Sequence, residues 1–270
     1  MELRTLRYFV ATAIEGNITR AADILHVTQP TLSRQLMDLE KELGTTLMLR
    51  GKKGLTLTDD GIYFRQRAEE IIELADRLER QFAEKSETIS GIINIGATEA
   101  IGSRMLAKLI QKFSKKYPLV QFCLYNEMAD TIKDRLDKGL ADIGLLLEPV
   151  DILKYDYVRL TQKETWGILP LREKVRAEIL NWISKEEKDL CIPLSYTLLS
   201  NAVLLVEEGL GCAFCLDGAL ALRNSPNLCF IPISPEHTTR SVLVWKKNQM
   251  FSPATSLFIQ EINMMRASMK

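Results

Sequence analysis

The sequence predicts an α/β protein in two parts: a helical head with a short β-hairpin, then a longer region of alternating strands and helices. Three observations lead there. Apolar residues recur at helical spacing from Leu3 to Leu43. A glycine-interrupted, β-prone stretch and one long heptad-patterned segment follow over residues 45–88. From Ser90 onward, short apolar runs alternate with helical patterns, as βαβ units do. A length of 270 residues suits two domains better than one core.

Leu3, Leu6, Phe9, Val10 and Ala13 give a first helix up to Glu15, stopped by Gly16. Asn17 caps a second helix whose buried side is Ala21, Ala22, Ile24 and Leu25. Thr28 caps a third. Val27 and Leu32 stand at its hydrophobic-staple positions, and Pro30 falls in the first turn, where a missing N–H costs nothing. Leu32, Leu36, Leu39 and Leu43 repeat at four, three and four, which at about 100° per residue sets them on one narrow face. The opposite face then carries Pro30, Thr31, Ser33, Arg34 and Met37, and Gly44 ends the helix.

Residues 45–57 read as a small hairpin with a basic tip at Lys52 and Lys53, the wing of a winged helix. Thr58 caps a helix running to about Thr88. Phe64, Ala68, Ile71, Ala75, Leu78 and Phe82 form an a/d seam along it, with Glu73–Arg77 and Asp76–Arg80 pairs outside. The seam serves either packing on its own domain or a dimer rod; its narrow, small-large alternation favours the rod.

Beyond Ser90 the expected series is strand Ile92–Ile95, helix Met105–Phe113, strand Val120–Tyr125, helix Ile132–Leu136 and strand Ile143–Leu147, implying a mostly parallel sheet. Strand Trp166–Pro170 and a charged helical stretch Arg172–Asp189 come next. Further segments at Thr197–Glu208, Cys212–Leu216 (an apolar strand), Phe230–Ile233 and Val242–Trp245 and a last helix from about Pro253 complete it.

Composition excludes several classes. The net charge is zero, so affinity for nucleic acid must come from a local patch. No apolar run approaches the roughly 18 residues of a membrane span, and MELRTLRYFV lacks the pattern of a secretory signal. Five irregularly spaced cysteines fit a reduced, cytoplasmic protein. Cys212 and Cys215 form one CxxC inside an apolar strand: either buried inert thiols or a redox pair. With only His26 and His237 available, no zinc site and no metal is expected. No GxSxG, P-loop or GxGxxG occurs, so no catalytic residues are assigned and the protein is expected not to be an enzyme.

The head carries the chemistry. Arg20, Arg34, Arg50, Lys52 and Lys53 cluster around the two helices and wing, although residues 1–58 hold eight Lys/Arg against six Asp/Glu. Thr31 and Ser33 suit phosphate or base contacts, Pro30 and Met37 a thymine methyl, and Arg34 a guanine or a phosphate. That pattern implies double-stranded DNA as partner, contacted by a dimer. In GATEA, Thr98 and Glu99 follow a strand and open a helix, where Thr98 is either a cap or a contact to a small molecule, while Glu99 weighs against an anion. Asn126 and Glu127 stand at a strand end, where crevices form in such sheets. A different class, a small-molecule-binding module whose head serves only assembly, is the alternative.

The order TRAADILHVTQPTLSRQLMDLEKELGTTLMLR, then GLTLTDDG, resembles the DNA-binding region of LysR-type transcriptional regulators over residues 1–60. GIINIGATEA, KGLADIGLLLEP and LLVEEGLGCAFCLDG extend the likeness more loosely. The resemblance implies a winged helix-turn-helix (1–58), a dimerising linker helix (59–88) and a two-lobed, periplasmic-binding-protein-like effector domain (89–270). Lobe I would take 89–161 and 239–270, and lobe II 162–238. It further implies tetramers on two sites, control of promoters by a small-molecule effector rather than a fixed cofactor, and RNA polymerase as a partner. By match to the family motif, Thr28, Gln29, Pro30, Thr31, Ser33 and Arg34 are recognition-helix residues, and Arg50, Lys52 and Lys53 belong to the wing. Thr98 matches an effector-contacting position.

Asn17 and Ile18 stand where the family often has Ser-Phe, and Met48 where Phe is usual; cap and core positions tolerate these. A larger departure follows DLCIPLS, which runs straight into YTLLSNAVLLVEEGLG. The strand–helix–strand passage the family places there, roughly 20–25 residues for a βα unit with loops, is missing. The second lobe is therefore expected to be shortened, and a regulator that binds DNA without responding to effector is a further alternative.

Overall fold

A computed structural model of the chain describes residues 1–51, 54–83, 89–151, 153–169, 194–218 and 226–268. They belong to two compact units, Met1–Lys85 and Ser86–Lys270.

The first unit contains helices α1 (Leu3–Glu15), α2 (Ile18–Ile24) and α3 (Gln29–Leu43), strands β1 (Met48–Gly51) and β2 (Gly54–Leu57), and helix α4 (Asp59–Ala83). Capping chemistry sets its corners. Gly16 closes α1 at φ 58°, a left-handed conformation that suits glycine. The Asn17 side chain accepts from the N–H groups of Thr19 and Arg20. Thr28 accepts from Thr31 N, and Gly44 ends α3 at φ 68°. Phe9, Ala21, Ala22, Leu32, Leu36, Leu39, Leu47 and Met48 form the core, and the Phe9 and Phe64 rings meet edge-on at 4.9 Å.

Two expectations about this core need correction. Ile24 is exposed: Ala21, Ala22 and Leu25 face inward, and at ~100° per residue Ile24 lies about 110° from their centre. Leu43 is also exposed, because the leucine stripe runs past the end of the core at the Gly44 turn.

The hairpin is antiparallel, with Met48 opposite Leu57 and Gly51 opposite Gly54. Leu55 N donates to Gly16 O at 3.0 Å, which fastens it to the corner between α1 and α2. At the other end, Glu40 of α3 accepts from Leu47 N (2.7 Å) and Met48 N (2.9 Å). Thr58 Oγ1 donates to Thr46 O (2.8 Å) and accepts from Gly61 N (3.0 Å). A Cβ on Gly61 would sit 2.1 Å from Leu47 O, so only glycine allows α4 to start this close to β1.

The second unit contains β3 (Gly91–Ala97), α5 (Gly102–Lys116), β4 (Val120–Asn126), α6 (Ala129–Asp137), β5 (Ile143–Leu147) and β6 (Tyr155–Leu169). After these come α7 (Leu199–Glu207), β7 (Ala213–Leu216), β8 (Ile231–Pro232), β9 (Thr238–Lys246) and α8 (Pro253–Ser268). The expected helix over residues 172–189 lies outside the described residues. The sheet order is β4-β3-β5-β9-β6-β7, with β8 also on β6. Ile93, Ile95, Ile143 and Leu145 meet Leu106, Phe113, Phe258 and Ile262 in the main core. A smaller core joins Leu169, Val203, Val206, Ala213 and Cys215.

The sheet is not mostly parallel. β3 runs parallel to β4 and β5, as the crossover helices α5 and α6 require. Every other pairing among the described residues is antiparallel. The reason is β6, a strand of 15 residues. Its first half pairs with β9, its register breaks between Arg159 and Lys163, and its last residues pair with β7 and β8. β6 leads the chain out of the first half of the unit, and β9 brings it back alongside in the opposite direction.

Candidate nucleic-acid interface

The third helix is built to present one side. Leu32, Leu36 and Leu39 are buried, while Gln29, Pro30, Thr31, Arg34 and Met37 are exposed. The Arg34 side chain is 81% exposed and its ion pair with Asp38 is long, 3.9 Å. The Thr28 and Thr31 hydroxyls share a 2.8 Å hydrogen bond at the helix start, among N–H groups that the helix itself leaves unpaired. Arg20 donates from Nη2 to Glu15 O at 2.7 Å and remains 67% exposed.

Ser33 departs from expectation. It is only 8% exposed. At about 100° from Leu32 it stands on the shoulder of the leucine stripe, and the packing of α3 turns it inward. The outward set is therefore Gln29, Pro30, Thr31, Arg34 and Met37, with Thr28 and Arg20 beside it. In the wing, the backbone of Arg50 lies in β1. The Arg50 side chain and all of Lys52 and Lys53 lie outside the described residues.

The seam of α4 divides in two. Ala68 is 1% exposed and Phe64 packs on Phe9, so both belong to the unit's own core rather than to a free surface. Ile71, Leu74 and Leu78 are open to solvent, and Ala75 is half-buried. Lengths explain this. At ~1.5 Å per residue, α1 with 13 residues covers little more than half of α4 with 25. Asp76 pairs with Arg7 of α1. The side chains of Arg80 and Phe82 lie outside the described residues. Leu74, which the seam omitted, completes the open stripe.

In the second unit, the three candidate effector contacts gather at the C-terminal ends of β3 and β4, where Ala97 faces Asn126 in register. Two of the three are already engaged within the unit. Thr98 Oγ1 donates to Leu145 O at 3.1 Å. The Glu99 carboxylate accepts from the N–H groups of Leu199 and Ser200 at the start of α7. Asn126 is exposed on the edge strand.

Sequence reasoning passed over Glu164. This buried residue accepts from Ile101 N at 3.0 Å and from Ser241 Oγ at 3.2 Å. Burial pushes its carboxyl above the usual range, against those two hydrogen bonds, and the charge of Asp217 adds to the rise. A lone glutamate in a strand carries no motif that would have flagged it. Cys215 behaves as a buried thiol, pushed up to about 12 mainly by burial. Phe214 turns to the other face and stacks on Trp166 with ring centroids 5.1 Å apart.

Comparison with known proteins adds to this geometry. Residues 3–62 match the family described as bacterial regulatory helix-turn-helix protein, lysR family. Residues 86–170 match the LysR substrate binding domain. The uncharacterized HTH-type transcriptional regulator YcgK of Bacillus subtilis (strain 168) is 30% identical over 220 residues, spanning 78% of this chain and 67% of the relative. The Hca operon transcriptional activator HcaR of Escherichia coli (strain K12) is 29% identical over 96% of both chains. That alignment is 287 positions long yet uses 96% of a 270-residue chain, so more than two dozen of its positions have no residue here. The crystal structure of full-length CbnR complexed with its target DNA shares the fold, with a TM-score of 0.73, 21% identity and coverage of 98% of this chain and 99% of that one.

Proposed function

The chain belongs to the LysR family of bacterial regulators, and from that membership we propose that α3 is its recognition helix, entering a DNA major groove with Gln29, Pro30, Thr31, Arg34 and Met37 foremost. The protein is a DNA-binding transcriptional regulator with an effector-binding domain. Its named relatives are regulators, not enzymes. The observation that carries the finer reading is the sidedness of α3: three leucines seated in the core, and a face of small, polar and cationic groups left open.

In this reading Arg34 forks onto a base or holds a phosphate, Thr28 and Thr31 position the helix start, and Arg20 and the wing cations Arg50, Lys52 and Lys53 grip the backbone. The open stripe Ile71–Leu74–Leu78 holds two copies together, and pairs of dimers engage half-sites about 34 Å or a multiple apart. The proposed division is 1–58 for DNA, 59–88 for the linker and 89–270 for the effector, with lobes 89–161 plus 239–270 and 162–238. Among the described residues no helix is long and apolar enough to cross a membrane. Action on DNA in the cytoplasm, response to a small molecule and contact with RNA polymerase complete the proposal.

A footprint of the purified protein on the DNA upstream of its own gene tests it. A protected region with two-fold symmetry supports the reading; no protection beyond that of random DNA at physiological salt overturns it. The positions absent relative to HcaR favour a second reading, a shortened regulator that binds DNA without responding to effector. A footprint whose length never changes with candidate small molecules would favour that one.

A further inference from the structure

The start of α7 is where a negatively charged ligand would be expected to bind. A helix N-terminus presents unpaired N–H groups and the positive end of the helix dipole. This one has no cap of its own: the N-cap is Leu198, whose side chain makes no capping hydrogen bond, and the first turn holds no acid. Leucine is among the poorest N-cap residues. Yet the donors are occupied. The Glu99 carboxylate, in the turn between β3 and α5, accepts from Leu199 N and from Ser200 N at 3.4 Å. The two partners are 100 residues apart in the chain. The arrangement has a counterpart at α5. Its N-cap, Ile101, is also aliphatic and uncapped, and Ile101 N donates to Glu164 at 3.0 Å. Each of these two helices thus begins on an apolar residue and receives a glutamate from another element.

We infer that Glu99 is an intramolecular latch: its carboxylate holds the N-terminus of α7 in the place of an anionic ligand, closing that helix end to carboxylates unless Glu99 is displaced. The inference rests on the effector-binding role proposed for the second unit and narrows it. A ligand that does not displace Glu99 must be neutral or cationic where it meets this turn, because an anion would both lack donors and face a like charge. The latch also ties β3 to α7 without any ligand.

The test uses the full-length protein and its Glu99→Ala and Glu99→Gln variants, with sodium acetate as the probe against sodium chloride at equal ionic strength. Hydrogen exchange over the peptide beginning at Leu198 is read together with thermal midpoints. Losing a charge-assisted acceptor should speed exchange of the first α7 amides roughly tenfold or more. In Glu99→Ala, acetate should slow that exchange again and raise the midpoint. Wild-type protein should respond to acetate no more than to chloride. Glu99→Gln, which keeps an acceptor without the charge, should fall between.

Unchanged protection in Glu99→Ala overturns the latch, as does equal stabilisation of wild type and variant by acetate. If the alanine variant does not fold, the glutamine variant decides: faster exchange supports the latch and wild-type exchange overturns it. Wild-type footprinting is run in parallel. A missing footprint counts against the regulator reading alone, and an adverse exchange result against the latch alone.

Discussion

Replacing Arg34 with alanine should separate folding from recognition. The side chain is 81% exposed and its Asp38 partner 64% exposed, 3.9 Å away at i,i+4. An exposed helical pair of this kind contributes about 0.3–0.5 kcal/mol at most, less with the cation on the N-terminal side. Alanine returns a few tenths through its higher helix propensity. The net change in stability is therefore within about 0.5 kcal/mol, which moves the midpoint of a unit this size by roughly 2–4 °C at most.

Recognition should change far more. A bidentate contact to a base discriminates by about 1–3 kcal/mol, so each half-site should lose roughly 5- to 150-fold, and a dimer the product of two such losses. Fluorescence anisotropy on the footprinted site and on scrambled DNA, each at several salt concentrations, measures this. If Arg34 reads a base, affinity for the site falls while affinity for scrambled DNA holds. If it holds a phosphate, both fall and the salt slope drops by about one per half-site. An Arg34→Ala protein that binds the site like wild type at physiological salt refutes the orientation assigned to α3. A midpoint falling by ten degrees or more would show instead that Arg34 supports the fold.

Three other outcomes are expected. Gly61→Ala places a methyl 2.1 Å from Leu47 O and should destabilise the first unit by several kcal/mol, seen as an early melting transition by circular dichroism. Leu78→Asp, on a residue 57% exposed in the single chain, should leave the monomer folded and abolish its dimer in light scattering coupled to gel filtration. For Glu164, whose folded carboxyl is raised, the folded state binds more protons than the unfolded state between the ordinary and the raised value. Its penalty therefore grows as pH rises through that window. Glu164→Gln should accordingly raise the midpoint at pH 8 and lose that advantage near pH 4, in a series of melts across pH.

Local chemistry made much of the first unit legible. Caps at Asn17 and Thr28, left-handed glycines at 16 and 44 and the inward leucines Leu32, Leu36 and Leu39 of α3 are each decided within a few residues, and each stands where expected. The shoulder of a helix is harder: Ser33 and Ile24 lie near the border of a face, and neighbouring elements decide which way they point. In the second unit the run Ile143–Leu147 is plain, because a strand buried on both faces reads as a continuous apolar stretch. The first half of β6 is not, since Arg159, Gln162 and Lys163 give it the texture of a loop. Its antiparallel return through β9 depends on pairing across more than 70 residues. For the same reason Glu99 could be noted as an awkward charge, but its partners at 199 and 200 could not.

The interruption between Arg159 and Lys163 has a mechanical consequence. On either side of it β6 is laced to β9, by five residue pairs before and three after. Among the described residues of the strand, these few in the middle have the least ladder to surrender. If the two ends of β6 tilt with respect to each other, the flexing concentrates there, as in a beam thinned at one point. The stiff segments on each side would swing almost as solid pieces. A change as small as the release of Glu99 would then be turned into displacement rather than absorbed along the strand.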